Sequence, residues 1–303
     1  MTSETIDVPA RTPVAPDGTL GAAPLHPGLS DPAYLRRRDA IVARAEGHEV
    51  GEPSPPVTYT EREHETWRQV HTALAAVQED AVCRAVLRAR DTAPIPADHV
   101  PQHAEVGDRL HELTGFRFTL AGGIVPDERF LGAMARGYFH AVQYVRHPAM
   151  PLYTPEPDVL HDVHGHGTHL SSPWFADLYR LVGTAAARVS GAAALDLISR
   201  VYWFTLEYGV AVERGRVKAY GAALLSSYGE LGRLHRAEIR PWAVPRVVTT
   251  PYTAAGYQPV LYAMPSLEHA ADALHDFLDE FDEDTPARLG LPAPAEDGHG
   301  AAA

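Results

Sequence analysis

The run His161-Asp162-Val163-His164-Gly165-His166-Gly167-Thr168-His169 places four histidines and an aspartate within nine residues. Imidazole nitrogens and carboxylate oxygens are ordinary ligands of first-row transition metals, so the run is a candidate metal site. Some forty residues later, Tyr202-Trp203-Phe204-Thr205-Leu206-Glu207-Tyr208-Gly209 sets one carboxylate in an apolar, aromatic segment. At helical spacing Glu207 shares a stripe with Trp203, Leu206 and Val210. A carboxylate buried there is costly unless it is paired or bound to a metal, whereas on a solvent face it would be an ordinary surface glutamate. Two histidines and Glu207 would complete a three-ligand face.

Spacing alone does not select the two histidines. The pairs His161 and His164, His166 and His169, and Asp162 and His166 are three or four residues apart and can share a helical face. His161 and His166, five apart, diverge on an ideal helix and require a distortion near Gly165. The competing reading makes these histidines helix caps or surface residues. Arg146, in Gln143-Tyr144-Val145-Arg146-His147, offers the planar fork that suits a carboxylate, or alternatively a surface ion pair.

These residues need elements to hold them. Trp67, Val70, Leu74 and Val77 recur at three- and four-residue steps, and Val82, Val86 and Leu87 extend the pattern to Arg90, predicting helix from Thr60. Further helices are expected at Val106–Gly115, after Pro126, after Ser172-Pro173, over Ala192–Val212, and along the stripe Leu267, Ala271, Leu274, Phe277, Leu278 and Phe281. Phe116–Ile124 reads as a short strand or extended loop, and Gly215 with Arg216–Tyr220 as a small hairpin. Residues 1–56, rich in Pro, Gly, Ala and charge, read as a flexible N-terminal arm, 57–285 as the catalytic unit and 286–303 as a disordered tail.

With 303 residues and 45% hydrophobic residues, a sizeable core is expected. A net charge of −13 without a basic stripe argues against nucleic acid and anionic lipid as partners. Cys83 is the only cysteine, which excludes an intramolecular disulfide and a cysteine-rich zinc module. Neither a secretory leader nor a membrane-spanning run is evident, so a cytoplasmic location is expected.

Four blocks in order then resemble one family, the pterin-dependent aromatic amino acid hydroxylases. They are Phe139-His140-Ala141-Val142-Gln143-Tyr144-Val145-Arg146-His147, Leu152-Tyr153-Thr154-Pro155-Glu156-Pro157-Asp158, Val201 to Gly209, and Lys218 to Leu231. The resemblance covers about Phe116 to Leu278. It implies a mainly α catalytic-domain fold with small β-hairpin elements. It also implies iron(II) held by His161, His166 and Glu207, and a tetrahydropterin near Gly123, Ile124, Phe130 and Asp162. The amino acid would be held by Arg146, supported by Thr154 and Ser226, in a pocket lined by Trp203 and His140. Ala254 stands where tyrosine-hydroxylating members resemble this chain but carry an acid, which implies an uncharged ring.

The expected activity is hydroxylation of L-phenylalanine to L-tyrosine with O2. The alternatives are meta hydroxylation of phenylalanine or a tryptophan substrate. A zinc hydrolase and a non-enzymatic metal-binding protein are the readings outside this class. His164 and His169 stand where the family more often has small or apolar residues. A monomer is expected, since no regulatory domain or C-terminal tetramerisation helix is evident.

Overall fold

The computed structural model describes residues 26–252 and 256–291. It is mainly helical. The helices before the metal run are α1 (Pro32–Val42), α2 (Glu61–Ala81), α3 (Arg84–Thr92), α4 (His103–Thr114) and α5 (Asp127–Ala135). Around and after it lie α6 (Val159–His161), α7 (Thr168–Leu170), α8 (Pro173–Ala186) and α9 (Ala192–Tyr202). The remainder are α10 (Ala222–Leu225), α11 (Tyr228–Arg233), α12 (Val244–Val247), α13 (Leu267–Leu278) and α14 (Thr285–Arg288).

Six short strands accompany them among the described residues. β1 (Arg117–Leu120) and β2 (Tyr138–Ala141) pair in parallel, Arg117 opposite Tyr138. β3 (Val210–Glu213) and β4 (Arg216–Ala219) form the expected hairpin. Its turn needs positive φ, met by Arg214 at 52° and Gly215 at 75°. β5 (Glu238–Pro241) and β6 (Val260–Met264) join this hairpin in the order β4-β3-β6-β5 through parallel pairings between distant segments.

Helix α2 begins at a capping box, with Glu63 N–H donating to the Thr60 hydroxyl and Thr60 N–H to the Glu63 carboxylate. Its Trp67, Val70 and Leu74 stripe is fully buried. The pattern does not continue unbroken to Arg90. The backbone leaves the helix at Val82 and Cys83, where Cys83 N–H donates to the Ala219 carbonyl of β4 at 2.9 Å. Likewise the helix expected over Ala192–Val212 gives way after Tyr202 to a wider turn and then to β3.

The flexible arm expected over residues 1–56 does not hold from residue 26. There α1 is pinned by Arg38, whose guanidinium donates to both Glu156 oxygens at 2.6 and 2.5 Å, with both side chains buried. Composition hides this because the partner is 118 residues away. Residues 1–25 lie outside the described residues. Of the expected tail, α14 buries Pro286, and residues 292–303 lie outside the described part.

Helices α5 and α8 cross in backbone contact at Gly183, where a Cβ would lie 2.3 Å from Ala135 N and 2.9 Å from Leu131 O. These are main-chain atoms and cannot rotate aside. Gly183→Ala is therefore expected to destabilise the fold by about 1–3 kcal/mol. In a domain of this size that lowers the melting temperature by several degrees, roughly 2–4 °C per kcal/mol. An unchanged thermal melt would show that the helices separate freely. Because α5 carries Phe130, this crossing also sets one wall of the site described next.

Candidate metal centre between two cavities

His161 and His166 come together because the helix is locally unwound between them. Residues Asp162–Gly167 form a π turn, whose i to i+5 bonding brings residues five apart towards one face. Gly165 permits it: the Ala222 carbonyl packs so closely that a Cβ at Gly165 would lie 2.5 Å from it. A second π turn, Trp203–Glu207, turns Glu207 inward and sets it beneath Tyr202, five residues earlier, whose hydroxyl donates to Glu207 Oε1 at 2.8 Å.

The three side chains converge from these two turns. His161 Nε2 and His166 Nε2 are 3.0 Å apart, His166 Nε2 is 3.0 Å from Glu207 Oε1, and His161 Nε2 is 3.9 Å from Glu207 Oε2. Ligands at bonds of roughly 2.1 Å and near-right angles lie about 3.0 Å from one another, so the set fits one metal ion. Burial and the neighbouring His166 push His161 down to about 4, which keeps its ring neutral. Burial alone would raise the Glu207 carboxyl, but His166, His161 and the Tyr202 hydroxyl outweigh it and bring the group down to about 2. The result is the imidazoles of His161 and His166 facing one carboxylate, the donor set of a facial triad with open positions.

Asp162 is near enough to His161 and His166 to share an ion, all three offering an atom within 4.8 Å of one another. Its Oδ2, however, accepts Val142 N–H at 2.7 Å, and burial raises its carboxyl well above the usual range. With Oε1 3.0 Å from His166 Nε2, Glu207 is the better placed carboxylate of the two.

His161 borders two cavities. The first, about 620 Å³, is lined by Arg146, Thr154, His161, Trp203, Glu207 and Ser226, among others. The second, about 330 Å³, is lined by Gly123, Phe130, His140, His161, Asp162 and His166, among others. The structure thus brings four of the six expected amino-acid-site residues into the first cavity and Gly123, Phe130 and Asp162 into the second. Ile124 is not in the second cavity's wall, although its neighbours Gly123 and Val125 are. Ala254 lies outside the described residues.

Two expected roles change. His140 lines the second cavity, because β2 runs beneath Phe130; it does not line the first beside Trp203. Both of its ring nitrogens are buried without a partner, and burial pushes it down to about 4. A neutral imidazole lacking both hydrogen bonds calls for a polar partner in that cavity, water or ligand. Ser226 borders the first cavity but also meets His161, 2.9 Å from Oγ to Nδ1, while its own hydroxyl has the Ala223 carbonyl as acceptor at 3.1 Å. It therefore receives the Nδ1 hydrogen of His161 and leaves Nε2 bare for a metal.

Arg146 is buried and already paired. Its Nε and Nη2 donate to Asp158 at 3.0 and 2.7 Å, and its own N–H donates to the same carboxylate. Nη1 donates to the Pro151 carbonyl at 3.4 Å, so one hydrogen of Nη1 and the second of Nη2 remain as the donors towards the cavity. Trp203 Nε1 donates to Gln258 Oε1 at 3.2 Å, and its ring packs on Tyr208 and Tyr252. His164 is turned from the triad, packing between Trp67 and His71 with ring centroids 5.1 and 5.2 Å away.

Sequence reasoning passed over Asp158, Glu230 and Gln258. Asp158 belongs to a quoted block, yet only the fold shows it anchoring Arg146. Glu230 lines the first cavity, where burial lifts it to about 7 despite Gln258 N–H at 2.8 Å. No spacing in the chain announces either contact.

Comparison with known proteins places the chain in a family. Residues 14–288 match the model of the biopterin-dependent aromatic amino acid hydroxylases. The chain belongs to that family. This hydroxylase is 44% identical to a phenylalanine 3-hydroxylase of Streptomyces coeruleorubidus, over 87% of this chain and 95% of that one. It is 37% identical to a bovine tyrosine 3-monooxygenase over 83% of its own length but only 52% of that protein, so it spans about half of that relative. Among solved structures, a phenylalanine hydroxylase of Chromobacterium violaceum with bound iron(III) and 7,8-dihydrobiopterin superposes with a TM-score of 0.69. That pair is 26% identical, covering 79% of this chain and 88% of that one. The mainly helical fold expected from sequence is the fold of these enzymes. No helix among the described residues is long and apolar enough to cross a membrane.

Proposed function

We propose that this hydroxylase converts free L-phenylalanine to 3-hydroxyphenylalanine, using O2, iron and a tetrahydropterin. The observation that carries the ring position is the similarity to the phenylalanine 3-hydroxylase, which extends over nearly the whole of both chains. It favours the meta outcome over the para hydroxylation suggested by the sequence blocks alone. Ala254, where an acid would accompany a tyrosine substrate, favours the unhydroxylated ring.

In this reading His161, His166 and Glu207 hold iron, the first cavity takes the amino acid and the second takes the pterin. Iron and tetrahydropterin together supply the activation of dioxygen, one atom entering the ring and the pterin providing the electrons that reduce the other. The protein's residues position the reactants. Arg146, steadied by Asp158, pairs with the substrate carboxylate, and Trp203, steadied by Gln258, walls the ring. The Phe130 ring and the unpartnered nitrogens of His140 face the pterin. Two cavities meeting at His161 put both reactants beside the metal, which is the proximity the reaction needs.

The test is NMR with mass spectrometry of the product formed from phenylalanine, O2, iron(II) and tetrahydropterin. Meta-tyrosine is the expected product. Para-tyrosine would return the assignment to a 4-hydroxylase, and pterin oxidation without ring hydroxylation would remove phenylalanine as the substrate.

A further inference from the structure

His169, three residues beyond His166, has no role in the site described so far, yet its contacts allow hydrogen positions to be assigned by elimination. Its Nε2 is 2.6 Å from the backbone carbonyl of Tyr220, and its Nδ1 is 3.0 Å from the Tyr179 hydroxyl. The same hydroxyl is 2.7 Å from His166 Nδ1. The His169 ring stacks on Phe175 at 4.1 Å and 3°, fully buried, which keeps it neutral with a single ring hydrogen. A carbonyl only accepts, so that hydrogen is on Nε2 and Nδ1 is bare. Nδ1 then accepts from the Tyr179 hydroxyl. With its one hydrogen directed to His169, Tyr179 can only accept from His166 and from its other neighbour, Tyr202, so Nδ1 of His166 carries a hydrogen and Nε2 is the nitrogen left for the metal.

We propose that His169 is a positioning residue which, through Tyr179, locks His166 in the tautomer whose Nε2 is free to bind the metal. A tyrosine alone would not do this, because its hydroxyl donates as readily as it accepts. Turned towards His166, it would place the ring hydrogen on Nε2, against His161 and Glu207, where the metal belongs. His161 needs no such anchor, since Ser226 already has a backbone carbonyl to receive its hydrogen. The proposal rests on reading His166 as a metal ligand, and the experiment separates the two.

Nitrogen-15 NMR of the metal-free chain is expected to show His166 protonated at Nδ1 and His169 at Nε2; the reverse pattern overturns the lock without requiring any variant to fold. Cobalt(II), used as the probe metal, is then titrated by calorimetry and visible absorption. His169→Phe, which keeps a stacking ring but offers no acceptor, should bind roughly 10–100-fold more weakly, the usual scale for a lost outer hydrogen bond. His169→Gln, whose amide can donate to Tyr220 O and accept from Tyr179, should stay within a few-fold of the parent. In a Tyr179→Phe background, His169→Phe should cost nothing further. Parental affinity in His169→Phe, or equal losses in the Gln and Phe variants, would overturn the lock. A parent chain that binds no cobalt would instead overturn the metal reading.

Discussion

His166→Ala is expected to lose stable iron binding and hydroxylation together while keeping its helical circular dichroism. Its Nε2 lies 3.0 Å from both His161 Nε2 and Glu207 Oε1, so the substitution removes the atom at the centre of the triad. Residues that merely orient a ligand cost roughly 10–100-fold in metal affinity when replaced, and loss of a ligand should exceed that range. His161→Ala and Glu207→Ala should behave alike. His164→Ala is the informative control: its ring packs on Trp67 and His71, away from the triad, so it should retain iron. Anaerobic iron(II) titration with metal analysis distinguishes these outcomes. Full occupancy in His166→Ala, or a loss in His164→Ala as complete as in His166→Ala, would show that the ligands have been misassigned.

Arg146→Lys is expected to raise the KM for phenylalanine ten- to a hundred-fold and to move the pterin KM far less. Asp158 fixes the guanidinium through Nε and Nη2, leaving one hydrogen each on Nη1 and Nη2 for a carboxylate in the first cavity, the other Nη1 hydrogen going to the Pro151 carbonyl. Lysine supplies the charge but no planar fork, and it cannot satisfy Asp158 and a ligand in the same geometry. A lost charge-assisted hydrogen bond is worth about 1.5–3 kcal/mol, which corresponds to that change in affinity. Phenethylamine keeps the ring and lacks the carboxylate, so it should bind poorly to the parent and be little affected by the substitution. The buried pair also bears on stability, since removing one partner outright costs about 3–5 kcal/mol. Retaining the charge should soften that loss, and a thermal melt beside the kinetics checks it. If phenylalanine and phenethylamine suffer equally, Arg146 supports the fold through Asp158 and the amino acid is held elsewhere.

The sequence by itself determined the helical class, the hairpin at Gly215 and the presence of a candidate metal-binding run, because these follow from periodicity, turn chemistry and residue type. The Trp67, Val70 and Leu74 stripe could be read locally, since its members lie within a few turns of one helix. The resemblance carried by the four family blocks implied His161, His166 and Glu207. Helical spacing could not, because an ideal helix sends His161 and His166 in different directions. Tertiary structure decided how that pair becomes possible: Gly165 accepts the Ala222 carbonyl, and the π turn rotates both imidazoles towards Glu207. It also reassigned His140 to the second cavity, gave Ser226 to His161, and tied Arg38 to Glu156 and Arg146 to Asp158. In each case the deciding neighbour is brought up by packing or by a change of helical pitch, and neither is encoded in the type or spacing of the residue itself.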